Sequence, residues 1–417
     1  YTTYVYSPIY MPLIKYLNSF AVTKSKRLQK PGKIYFKDNF IFINEMLKGI
    51  HIIDNRNPKK PINKAFLSIP GNLDLAIKGN ILYADSITDL LVIDLSPLKT
   101  NPLGIKIVYR KRKVFPYDPV KSMGLASLSR WSGTKRYFES IDHSKGIVVG
   151  WKRVPFTKAR AKLQCCAMGP RIGGRASMGK SFSASSGAGV GGSLARFTIY
   201  RNFLYTIDSQ RLKTFTIKNS KKPVLLSSTN IGTYIETIFP YKNKLFIGSE
   251  SGMYVYDISQ MPYKPQKITV VRHINMRDPV VVEGNYAFVT LRNNRGGLLM
   301  IYNIKNLSRP FLIKIIRMRR PHGLGIDDGR LFICDYNGIV VLDAAKIIQL
   351  SDRNRRWDTY QKYIISKLPL KMPAYDVIPF RTKLFVIGAG GFFQYDYSNI
   401  KNITLLSHIL VFPERNQ

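Results

Sequence analysis

One short pattern is written seven times along this chain, seen most clearly in Asn243-Lys244-Leu245-Phe246-Ile247-Gly248-Ser249 running on to Gly252-Met253-Tyr254-Val255-Tyr256-Asp257. An alternating apolar run, a short polar break and a second alternating run ending in Asp is a β-hairpin followed by a turn. One such hairpin cannot bury its own apolar face, whereas several stacked side by side can.

Taking the Asn243 position as zero, the same place is held by Asn39, Asn80, Asn202, Asn285, Gly329 and Thr382, and the third residue on is always aromatic: Phe42, Tyr83, Tyr205, Phe246, Phe288, Phe332 and Phe385. About fourteen residues past zero stands Asp54, Asp94, Thr216, Asp257, Asn303, Asp343 or Asp396. A short polar side chain there can accept backbone amides of the following turn. Proline often comes soon after, at Pro58, Pro61, Pro97, Pro223, Pro262 and Pro310, and stops the strand. The zero positions are 41, 122, 41, 42, 44 and 53 residues apart. A strand-only period of about 40 to 50 residues points to propeller blades and away from helical solenoids.

The expected fold is therefore all-β, a β-propeller of seven blades with room for an eighth, occupying residues 28–417 behind an N-terminal arm or linker at 1–27. A long insertion after blade two, residues 114–195, interrupts the period. Its first part carries a strand in Lys145-Gly146-Ile147-Val148-Val149-Gly150-Trp151, and its second, from 169 to 193, is Gly/Ser-rich and reads as a surface loop. Residues 352–363, polar around Trp357, read as a short helix. With 45% of its 417 residues hydrophobic, the chain has ample material for one large core. No run is long and apolar enough for a membrane-spanning helix. The first residue is Tyr1 and not Met, so a signal peptide or lipid-anchor cysteine would lie upstream.

Lys and Arg number 65 against 25 Asp and Glu, a formal charge of +40, and they crowd at 110–113, 152–162 and 317–320. Such a field draws anionic partners: acidic protein, anionic glycan, lipid headgroups or nucleic acid. A genome rich in A and T also raises Lys, Asn, Ile and Tyr together, but it does not account for the arginines. For nucleic acid no zinc finger or aromatic RNA-reading strand gives support.

The repeats Gly49-Ile50-His51-Ile52-Ile53-Asp54, Leu90-Leu91-Val92-Ile93-Asp94, Gly252-Met253-Tyr254-Val255-Tyr256-Asp257-Ile258-Ser259 and Pro321-His322-Gly323-Leu324-Gly325-Ile326-Asp327 resemble the LVIVD-repeat proteins, β-propellers of the Bacteroidetes cell envelope. The resemblance covers most of the chain. It implies an exported, outer-membrane-associated protein at the cell surface or in the periplasm, commonly a lipoprotein, in an assembly with protein partners and with no established enzymatic activity. It carries no catalytic residues across. The chain departs from it in its high positive charge.

Motifs for chemistry are few. Gly174-Arg175-Ala176-Ser177-Met178-Gly179-Lys180-Ser181 fits the phosphate-loop pattern, but no strand leads into it and the residues after it are too rich in Gly and Ser for the helix that pattern needs. His51, His143, His273, His322 and His408 lack metal-ligand spacing; His51 reads as a packed or surface residue and Cys334 as a buried thiol. Adjacent Cys165 and Cys166 bridge one another only through a strained ring.

Six or seven residues before each zero, where the innermost strands begin, stand Lys33, Asp74, Arg196, Glu236, Asp278, His322 and Asp376. In a ring these seven slots converge on one channel mouth. Two readings are open: the acids pair with Lys33, Arg196 and backbone amides and tie the blades together, or they hold a divalent cation or small polar ligand. The second would serve a metal-dependent hydrolase or lyase. No other cofactor is implied. In the insertion, Arg130, Trp131, Arg136, Tyr137, Trp151, Lys152, Arg153 and Arg160 combine cations with aromatics, as anchors for a partner or as the small core fastening the insertion to the ring. The function expected is a non-catalytic binding or scaffold module.

Overall fold

The first two strands of each repeat are joined by a two-residue turn that needs at least one left-handed residue. Asp38, Arg201, Lys242, Asp328 and Arg381, all immediately before a zero position, have φ between 45° and 54°, and glycine takes the slot as Gly79 and Gly284. Left-handed backbone costs a non-glycine residue about 1 kcal/mol, and the hairpin repays it by bringing two alternating strands into register. The carbonyl at each zero position then accepts an amide from the far end of the third strand: Asn55 to Asn39, Leu95 to Asn80, Ile217 to Asn202, Ile258 to Asn243, Ile304 to Asn285, Ala344 to Gly329 and Tyr397 to Thr382, at 2.7–3.0 Å. The polar side chain at the strand's end accepts from the turn that follows, as in Ser96 to Asp94 (2.8 Å), Ser259 to Asp257 (2.7 Å) and Ser398 to Asp396 (2.8 Å), with Asp54, Thr216, Asn303 and Asp343 doing the same.

The computed structural model describes residues 4–122, 137–155, 163–165, 190–191, 193, 195–232, 235–249, 251–272, 279–293, 296–351 and 357–412. Seven antiparallel sheets follow in chain order, with blade four as the pattern: Ile235–Tyr241, Lys244–Ser249, Gly252–Asp257 and Gln266–Arg272 pair with their sequence neighbours. All seven repeat aromatics lie on the second strand, are at most 3 % exposed, and face the middle of the third strand. Phe42 is opposite Ile52, Phe246 opposite Val255 and Phe288 opposite Ile301. Burying such a ring is worth roughly 2–3 kcal/mol, and a one-residue slip would turn it outward, so the aromatics fix the register. Gly252 (φ +151°) opens the third strand of blade four where a Cβ would sit 2.4 Å from the Val271 carbonyl.

First strands of successive blades pack side by side, and the last meets the first. Ile34, Ile41 and Ile43 of blade one share a cluster with Ile378, Phe385 and Ile387 of blade seven, and the Phe36 ring lies 4.9 Å from Phe380. Blades are also tied along the rim: Tyr83 Oη donates to the Ser220 carbonyl of blade three (2.8 Å), and Tyr205 Oη to the Pro262 carbonyl of blade four (2.7 Å).

Three segments lie otherwise than the sequence led us to expect. Tyr4–Met11, in the arm, is a strand at the centre of an eighth sheet, between Ile147–Pro155 (antiparallel) and Tyr137–Glu139 (parallel), with Leu163–Cys165 beyond. That strand order is not a blade's. Blade two packs directly on blade three, so the eighth sheet stands outside the ring. Around Trp357 the expected helix is instead a strand, Trp357–Thr359, running parallel to Phe311–Met318 on the rim of blade five and followed by a 3-10 turn, Tyr360–Tyr363. The helix is earlier, at Ala344–Gln349, capped by Asp343.

Candidate functional site

The hub positions divide by burial. The first strands of blades one, four, six and seven carry a register shift at this level, between Pro31 and Ile34, Ile235 and Thr237, Pro321 and Leu324, and Ala374 and Asp376. A register shift interrupts the alternation of a strand, so positions six and seven before zero are not equivalent from blade to blade. Lys33, Asp74 and Asp376, at position six, are buried, whereas Arg196, also at position six, and Glu236 and His322, at position seven, are half-buried. Of the seven, Asp278 lies outside the described residues.

Lys33, Asp74 and Arg196 do come together. Lys33 Nζ is 2.5 Å from Asp74 Oδ2, both side chains less than a tenth exposed, and the Arg196 amide donates to the same oxygen. Asp85 Oδ1, from the second strand of blade two, accepts the amides of Leu73 (2.8 Å) and Asp74 (2.9 Å) and the Asn72 side chain (2.9 Å), and Asn72 in turn accepts from Asn44 of blade one (2.7 Å). Burial pulls the Lys33 ammonium below its ordinary pKa against the pull of Asp74, and pushes the Asp85 carboxyl up against Arg196 and its amide donors. Three blades are thus stitched by one buried polar network, the outcome expected of acids that pair internally.

The other hub residues are held separately. Arg292 donates to His322 Nδ1, and the His322 ring lies 6.3 Å from Tyr375. Asp376 is fully buried and accepts the Val377 amide at 2.8 Å; Cys334, also fully buried, has its thiol pushed up by burial, with Asp376 adding to the effect. Among the described residues no three His, Cys, Asp or Glu side chains are grouped to hold a metal ion.

A second polar repeat escaped the sequence reading. Six residues past zero, at the end of the second strand, Glu45 accepts the Gln29 amide (3.0 Å) and that of Lys30, Asp208 accepts Gln210 and Arg211 (2.9 Å each), and Asp335 accepts Arg319 (3.2 Å) and Arg320 (2.6 Å). Glu45 also holds His51 Nε2 at 3.1 Å, with the His51 ring against Phe66, so His51 is a packed core histidine. The signal was present as an acid closing a strand in three repeats.

In the eighth sheet Trp151 packs edge-on to Phe138 (5.3 Å, 82°) and donates to the Pro119 carbonyl (3.2 Å), and Phe138 stacks on Tyr6 (5.3 Å). Trp151 therefore belongs to the small core of the insertion. Lys152 and Arg153 are exposed, with the Arg153 guanidinium 3.9 Å above the Tyr4 ring. Tyr137 lies in a strand; Arg130, Trp131, Arg136, Arg160 and the phosphate-loop match at 174–181 lie outside the described residues. The arm is fastened to blade two by Tyr16 Oη, which donates to the Ser86 carbonyl at 2.5 Å, and by Arg110, stacked on Tyr16 and paired with Asp89. A separate open depression of about 390 Å³ on blade four is lined by Ile231, Ser251, Tyr254, Lys267, Val270 and Arg272.

Comparison with known proteins agrees with this architecture. The computationally designed protein Ika8 superposes with a TM-score of 0.50 at 9% identity, over 92% of this chain and 88% of that one. Kluyveromyces lactis Hsv2 gives 0.50 at 10% identity, over 92% and 100%. Saccharomyces cerevisiae Sqt1 gives 0.50 at 8% identity, over 99% and 93%. The fold is a β-propeller. At these identities the likeness is one of fold alone. The family model of the LVIVD repeat matches residues 277–317, which contain most of blade five. No curated protein matches the sequence. No helix among the described residues is long and apolar enough to cross a membrane.

Proposed function

We propose that this protein is a non-catalytic β-propeller that binds an anionic partner, acting as a recognition or scaffold module of the bacterial cell envelope, exported and anchored at the outer membrane as a lipoprotein. The observation that carries the reading is where the acids go. Asp74, Asp89 and Asp208 are buried against Lys33, Arg110 and Lys213. Asp54, Asp94, Asp257 and Asp396 hold turns, and Glu45 and Asp335 hold backbone amides. These nine of the 25 acids are taken up inside the fold or in its turns, and the 65 cations leave a large positive excess, which steers association with anions. The envelope setting is supported by the LVIVD match.

The test is fractionation of the native cells, followed by affinity capture from the envelope in mild detergent at low and moderate salt. Envelope location with an anionic component released by salt is the expected result. Absence from the envelope, with no retention on any polyanionic matrix, would overturn it.

A further inference from the structure

The two faces of the ring differ in what their turns repeat. Strand direction alternates within a blade, so the first and third turns of every blade emerge on one face and the second turn on the other. The second turns Ile87-Thr88, Ser209-Gln210, Tyr336-Asn337 and Ala389-Gly390 carry no charge, while Lys48, Arg319 and Lys371 stand on their face without a repeated apolar tip. The third turns repeat a cation, a proline and an apolar residue: Lys60-Pro61-Ile62 in blade one, Lys222-Pro223-Val224 in blade three and Arg309-Pro310-Phe311 in blade five. Blades two and four vary it as Pro102-Leu103 and Pro262-Tyr263-Lys264. Ile62, Leu103, Val224, Tyr263 and Phe311 are 46–50 % exposed. On the first turns of the same face Arg201, Lys242 and Arg381 each lie over the aromatic just before them, Tyr200, Tyr241 and Phe380, at 5.2, 5.5 and 5.1 Å.

A single exposed apolar residue needs no explanation. One after a proline in each of five blades, on one face, flanked by long cations, is a pattern. We propose that this face docks flat on an anionic lipid surface, the apolar tips entering the boundary between headgroups and acyl chains while the lysines and arginines reach the phosphates. A soluble polyanion would use the cations and leave the regularly spaced apolar tips without a role. The inference rests on the anionic-partner reading above and adds both the face and the partner's chemistry.

The test is co-sedimentation of the full chain with vesicles of phosphatidylglycerol in phosphatidylcholine, against phosphatidylcholine alone. Reversing Lys60→Glu, Lys222→Glu and Arg309→Glu together is expected to weaken binding more than about tenfold. Ile62→Ser, Val224→Ser and Phe311→Ser together are expected to leave weakened binding that lower salt does not restore. Lys48→Glu, Arg319→Glu and Lys371→Glu, on the opposite face, are expected to leave it unchanged; thermal melts check that each variant is folded. Binding lost through the opposite face, or through Lys152→Glu with Arg153→Glu in the eighth sheet, would overturn the inference and leave the anionic-partner reading standing. So would indifference to vesicles with retention on heparin. Indifference to both would remove the two together.

Discussion

Asp74 carries more of the hub than any other side chain in the buried network, because one carboxylate oxygen serves both the Lys33 ammonium and the Arg196 amide. Removing its charge leaves a buried cation without its partner. Asp74→Asn is expected to lower unfolding free energy by about 3 kcal/mol or more, read by chemical denaturation. The double change Lys33→Met with Asp74→Leu should cost less than the single one, since it removes both charges together. Asp396 offers a pH reading. Lys383 first, and then Ser398, pull its carboxyl down from 3.8 to about 2. A carboxyl depressed in the folded state adds stability above its unfolded pKa and gives it up as pH falls through the folded one. Melting temperature should therefore fall between about pH 4 and pH 2, and Asp396→Asn should flatten that limb while lowering the neutral-pH value.

At the scale of the element, the blade is set by local rules applied seven times: a left-handed turn residue, an aromatic on the second strand, and a polar side chain closing the third. Tyrosine at the aromatic position adds a tie between elements, which phenylalanine in the same slot of other blades lacks. Tyr83→Phe is expected to keep the packed ring and lose the bond to the Ser220 carbonyl, a loss of about 1 kcal/mol in thermal or chemical unfolding. Phe246→Leu, by contrast, has no such bond to lose. These features were legible in the residues because turn chemistry and strand alternation act within some fifteen positions of chain. The strand at Trp357 was not, since its partner is on blade five, some forty residues back, and a short polar segment carries no period of its own.

At the scale of the molecule, the ring closes on apolar packing between blades one and seven, and the eighth sheet stands apart from that closure. Its central strand comes from the arm, whose partners lie more than a hundred residues on. Deleting residues 1–11 is expected to open residues 137–155 to limited proteolysis while the ring keeps its cooperative melt; loss of that melt would show the sheet to be a structural part of the ring.

The sequence by itself determined the seven repeats, the position of every repeat aromatic and the turn-closing polar residues, since each is an interaction between near neighbours, and left open an eighth blade that the structure replaces with a separate sheet. It also identified Lys33, Asp74 and Arg196. Only the tertiary structure decided that Glu236 and His322 are half-buried while Lys33, Asp74 and Asp376 are buried. A register shift of one residue reverses a strand side chain, and composition at a slot holds no record of that shift. The same holds for Tyr4–Met11: a strand with an unpaired edge specifies that it will pair, while the chain's path through space selects the partner.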